Sequence, residues 1–108
     1  MPLSIVKTPG FLVDAELQFE WYLDEAGEEV AGRYLVALDE TLGRISRQPE
    51  LVPLRRFRAP RLKGLRSWML TKPFHAHIVF YRVGGDVIEI FRVMHGARDL
   101  PRRLQQPP

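Results

Sequence analysis

The chain has 108 residues, 45% of them hydrophobic and 27% charged, and no cysteine. That is the size of one domain with one small core, and it excludes disulfides and thiolate metal sites. The net charge of +3 hides a division: residues 1–50 hold ten acids against four bases, and residues 51–108 hold twelve bases against three acids. Either acidic helices neutralise a basic sheet within one domain, or the second half meets an acidic peptide or nucleic acid. The N-terminal run MPLSIVKTPG lacks the apolar stretch of a signal peptide, and no segment is long enough to cross a bilayer. With the absence of cysteine, this fits a cytoplasmic protein with no membrane partner.

In chain order, residues 2–8 alternate as a short strand. Thr8 is placed to cap a helix with Pro9 in its first turn, and Gly10 predicts that the helix starts a residue or two later. Leu12, Ala15, Phe19, Tyr22 and Ala26 then recur on one helical face. Gly27 ends this helix. A second helix is predicted from about Glu28 to Arg47, with Ala31, Tyr34, Leu35, Leu38, Leu42 and Ile45 as its apolar stripe. Acids lead it and arginines close it, as the helix dipole favours. One glycine between the helices implies an antiparallel hairpin. Residues 49–64 are rich in proline and arginine and read as an irregular surface loop. Three strands follow, at Leu65–Thr71, His75–Val83 and Val87–His95, the last two joined by Gly84-Gly85-Asp86. Beyond Gly96, residues 97–104 form a short helix or an extended tail, and 105–108 are expected to fray. The fold class is α+β: one domain over 1–108, β-α-α-β-β-β with a short tail, the helical hairpin packed on a small, mostly antiparallel sheet.

Four segments, AELQFEWYLDEAG, AGRYLVALDETLGRISRQPEL, HIVFYRVGGDVIEIFRV and MHGARDL, make the chain resemble the RelE/ParE toxin superfamily, and its ParE branch more closely. The last two are the more specific, because strand pairing, turn and terminal His/Arg cluster keep fixed spacing. The resemblance implies a toxin of a type II toxin–antitoxin system, neutralised by a small ParD-like antitoxin with an acidic C-terminal segment. The ParE branch implies inhibition of DNA gyrase; the RelE branch implies ribosome-dependent cleavage of messenger RNA. A relic that retains only antitoxin binding is the third reading.

RNA cleavage by 2′-hydroxyl attack needs preorganised cations for the charge that builds on phosphate. RelE-type ribonucleases typically read Arg-Leu-Val-Tyr on the middle strand and carry lysines on the strand before it. Here the middle strand reads Ile78-Val79-Phe80-Tyr81 and the preceding one Trp68-Met69-Leu70-Thr71. An isoleucine cannot stabilise a phosphorane, so no catalytic residue is expected. Were the chain a ribonuclease, His95, Arg92 and Arg98 would carry the chemistry. Otherwise Arg92 pairs with an acid such as Glu89, and His95 caps its strand or joins a basic binding edge. His75 and His77 read as exposed residues on one strand face; without a third ligand, neither a metal nor another cofactor is expected. Val13, Leu17 and Trp21 form a second apolar stripe on the first helix, either a partner site or packed beneath the strands or the loop. Trp68 on the sheet has the same two readings, and core is the one expected. Arg55, Arg56, Arg58, Arg61, Lys63 and Arg66 suit either phosphates or an acidic antitoxin, with no sequence-specific nucleic-acid recognition implied. The antitoxin- or target-binding set is therefore Val13, Leu17, Trp21, Arg58, Arg61, Lys63, Arg66, Arg92, His95 and Arg98.

Overall fold

Thr8 leaves the first strand, β1 (Ser4–Lys7), and its hydroxyl accepts the Phe11 N–H at 3.1 Å, so helix α1 (Pro9–Ala26) begins at once. Gly10 does not delay it. A Cβ at Gly10 would meet Arg92 Cδ at 3.1 Å, so this glycine serves a close approach of the last strand. The computed structural model describes residues 3–96 and 99–108. Gly27, at φ 92°, joins α1 to α2 (Glu28–Arg47). The remaining elements are a 3₁₀ turn (Pro60–Leu62), β2 (Leu65–Met69), β3 (His77–Gly84), β4 (Val87–His95) and α3 (Leu100–Gln105).

The four strands form one sheet in the order β1-β4-β3-β2, with β1 parallel to β4 and the other pairs antiparallel. The β3–β4 hairpin turns on Gly85-Asp86, where Gly85 has φ 60°. A bulge between Phe80 and Tyr81 in the β3–β4 register places Phe91 out of step. β2 and β3 are each shorter than the sequence predicts. Residues 71–77 instead form successive turns, with Phe74 N–H on Thr71 O and His77 N–H on Phe74 O, both at 3.0 Å, which bury Phe74.

The helical hairpin covers one sheet face. Phe11, Tyr34, Leu38, Leu42 and Ile45 pack there on Val79, Tyr81, Ile88, Ile90 and Val93. Three predicted core assignments are corrected. Leu12 and Ala26 of α1 and Leu35 of α2 are exposed, and α1 instead buries Phe11 and Asp14. The cause is that α1 packs chiefly on α2 and on β4, at the margin of the sheet, which rotates its buried face. The opposite sheet face holds a second apolar cluster of Leu62, Leu65, Phe80, Met94, Leu100 and Leu104. The 49–64 loop is accordingly pinned and not irregular throughout. Leu62 is buried, Leu54 bridges Arg66, and Tyr81 Oη donates to Pro49 O at 2.8 Å. Among the described residues no helix is long and apolar enough to cross a membrane.

Candidate functional site

β1 ends at Lys7, so β4 would have a bare edge beyond Ile90. Helix α1 fills that gap with side chains. Thr8 Oγ1 donates to Phe91 O at 2.7 Å, Asp14 Oδ2 accepts from Val93 N–H at 3.2 Å, and Gln18 Nε2 donates to Val93 O at 2.9 Å. Asp14 also holds Arg92 through two parallel hydrogen bonds, at 2.5 and 2.8 Å, and Arg92 donates a third to Gln106 O at 2.6 Å. Arg92 is only 5% exposed. The expected pairing with Glu89 is therefore corrected: Glu89 binds Arg82 at 2.9 Å. Arg92 is an internal tie between α1, β4 and the C-terminal tail, and no part of a basic binding edge. The tail expected to fray is held at Gln106.

Along the same helix, Leu17, Trp21 and Tyr22 face His77 and His95 at the ends of β3 and β4, with Pro108 closing one side. They line a mostly apolar groove of about 380 Å³. Trp21 is 59% exposed and Leu17 52%. At its floor the Tyr22 hydroxyl meets His77 Nε2 at 2.8 Å, and the His77 and His95 rings lie 4.9 Å apart, edge to face. Tyr34 donates to Gln18, continuing the polar chain inward. The prediction that His77 is exposed is corrected. It is 3% exposed, and its Nδ1 has no partner among the described residues, whereas His75 is exposed in the turn before β3. Burial, and then the neighbouring His95, push the His77 pKa down to about 4. Burial raises the phenols of Tyr22 and Tyr34, the latter with help from Tyr22 and Asp14.

The basic residues of the loop lie elsewhere. Arg55, Arg56, Arg58, Lys63 and Arg66 line a groove at the outer edge of β2, across the sheet from α1. Arg58, Arg61 and Lys63 are exposed; Arg66 is half-buried and donates to Val52 O. The predicted residues thus divide into three places. Leu17, Trp21 and His95 share the apolar groove, with Val13 exposed on the same helix; Arg58, Lys63 and Arg66 share the β2 edge, with Arg61 exposed in the 3₁₀ turn; Arg92 is internal. Arg98 lies outside the described residues. Asp14, Gln18 and Tyr22 were not singled out as site residues by the sequence. The one available signal was a lone carboxylate, Asp14, between Val13 and Ala15 in an apolar stretch.

The strand pairing also separates the residues that a ribonuclease would need. Arg92 lies opposite Phe80 and His95 opposite His77, and these pairs project from opposite sheet faces. The face that carries Phe80 and Ile78 is packed against Leu62, Leu100 and Leu104. Arg92 and His95 do share the lining of a second, smaller pocket, of about 310 Å³, with Arg103 and Gln106, but there the Arg92 guanidinium is already bound by Asp14 and Gln106 O.

The sequence pattern of the family described as "ParE toxin of type II toxin-antitoxin system, parDE" matches residues 5–100. No curated relative matches the sequence. Among solved structures, the chain is similar to one of the chromosomal ParDE toxin–antitoxin system from P. aeruginosa, with TM-score 0.72 and 20% identity over 88% of this chain and 97% of that one. It is also similar to one of the toxin–antitoxin complex RelBE2 from Mycobacterium tuberculosis, with TM-score 0.57 and 25% identity over 88% of this chain and 99% of that one.

Proposed function

The chain belongs to the ParE toxin family of type II toxin–antitoxin systems, and we propose that it acts in the cytoplasm as a non-enzymatic inhibitor of DNA gyrase, held silent by a ParD-like antitoxin. The observation that carries the reading is the fate of the sheet face opposite the helices. That face is filled by Leu62, Leu65, Phe80, Met94, Leu100 and Leu104, and its arginine, Arg92, is committed to Asp14. A phosphoryl-transfer centre needs cations aimed at an open substrate position; here the apolar cluster fills that position, Arg92 is bound to Asp14, and Arg55 is bound to Ser67 and stacked over Phe80.

The antitoxin docks on the exposed side of α1. Trp21 and Leu17 stand out of the surface beside the 380 Å³ groove, and large aromatic side chains over apolar pockets are the usual anchors of an interface. The solved relatives come from toxin–antitoxin systems, which supports a partner of this kind. Controlled expression in bacteria tests the function. Relaxed plasmid DNA and a DNA-damage response, with intact transcripts, are expected. Transcripts cleaved on ribosomes, with plasmid supercoiling unchanged, would overturn the reading in favour of a ribonuclease; growth without arrest would mark a relic that only binds antitoxin.

A further inference from the structure

Between Glu50 and Asp86 the chain carries eight Lys and Arg and no Asp or Glu. The fold gathers five of these cations around one groove of about 670 Å³ at the β2 edge, and no carboxylate is among its lining residues. The half-buried cations build the groove. Arg55 donates to Ser67 Oγ at 3.0 Å and lies 5.2 Å over the Phe57 ring; Arg66 binds the carbonyls of the incoming loop. From the other side, Arg82 donates to Lys63 O at 2.8 Å and Arg61 O at 2.6 Å. Those bonds use backbone carbonyls and leave the side chains of Arg56, Arg58 and Lys63 exposed. The result is a set of outward cations on a pinned loop.

We infer that this groove grips the sugar–phosphate backbone of duplex DNA, without reading its sequence, and so anchors the toxin to the DNA segment held by its target. The inference rests on the gyrase reading above for the choice of duplex DNA. An acidic peptide is the competing occupant. A peptide draws its affinity from buried apolar anchors, and exposed charge pairs add chiefly to the association rate. The basic groove offers one large exposed hydrophobic, Leu54, whereas Leu17 and Trp21 stand together at the opposite margin of the sheet. One apolar anchor among five cations suits a nucleic-acid backbone better than a peptide, because the backbone binds through release of its condensed counterions. The absence of interleaved exposed aromatics argues against a single-strand stacking platform; Phe57 is half-buried beneath Arg55.

The test is fluorescence anisotropy of the purified chain with a labelled 30-base-pair duplex over a salt series, beside a variant with Arg56→Gln, Arg58→Gln and Lys63→Gln. All three side chains are exposed, so the variant retains its fold. If these cations each neutralise one phosphate, wild-type affinity falls at least about 40-fold between 50 and 200 mM salt, and the log–log slope of the variant is shallower by about 2.7. Equal binding by the two proteins, or none by the wild type at 50 mM, overturns the inference. So does tighter binding of a labelled 20-residue oligoglutamate than of the duplex, which would assign the groove to acidic peptide. Gyrase supercoiling measured on the same samples keeps the two claims apart. Duplex binding without gyrase inhibition sinks the gyrase reading and leaves the groove; gyrase inhibition without duplex binding does the reverse.

Discussion

The buried residue that ties most of the molecule together is Asp14. Its two oxygens satisfy the Arg92 guanidinium and the Val93 N–H. Removing one member of a buried ion pair leaves the other charged and desolvated, at a cost of about 3–5 kcal/mol. Asp14→Ala is expected to lose that much in urea unfolding, and the double substitution Asp14→Leu, Arg92→Met to recover most of it. A double variant no more stable than the single one would show that the pair is not the source of the loss. His77 makes a pH prediction. Its folded pKa is about 4 against an ordinary 6.5, so between those values the unfolded chain takes up a proton that the folded chain refuses. The stability from keeping His77 neutral is complete above pH 6.5 and declines as pH falls towards 4, by roughly 3 kcal/mol. In His77→Phe, stability should vary less with pH over that window; an unchanged profile would assign the dependence to other groups.

At the scale of elements, the hairpin of β3 and β4 was legible because period-two alternation, Gly84-Gly85-Asp86 and pairing all operate within about twenty residues. Most of α2 was legible for the same local reason. Helix α1 was legible as a helix but not in its facing. It packs at the sheet margin and supplies Thr8, Asp14 and Gln18 to β4, a partner more than seventy residues away, and periodicity within one helix carries no such information. The burial of His77 was hidden likewise, since it depends on Tyr22 and Tyr34 arriving from the helices. Leu17 and Trp21 were recognisable as a second apolar stripe, and their exposure gives a separable prediction. Leu17→Ala and Trp21→Ala should each change folding stability by under about 1 kcal/mol, while Trp21→Ala weakens antitoxin binding by at least about 30-fold, as for an interface anchor. Calorimetry against the cognate antitoxin separates the two effects, and an unchanged affinity would move the antitoxin off this face. Helix α3 is the reverse case: Leu104 is buried in the second cluster, so Leu104→Ala should cost about 2–5 kcal/mol in thermal unfolding.

Across the whole molecule, two unlike surfaces stand at opposite margins of one sheet: an apolar groove beside α1 and a basic groove beside β2. The division of charge between the two halves of the chain has both outcomes in the fold: Arg92 pairs with Asp14 of the first half, and five other cations of the second half line a groove with no carboxylate in its lining. The closed sheet face between these surfaces is what turns the superfamily's two activities into one prediction for this chain. The most direct test is a supercoiling assay with purified gyrase, relaxed plasmid and the isolated chain. Supercoiling is expected to be blocked and cleaved plasmid to accumulate, and the cognate antitoxin to reverse both. Full supercoiling at saturating toxin, together with messenger cleavage on purified ribosomes, would contradict the gyrase reading.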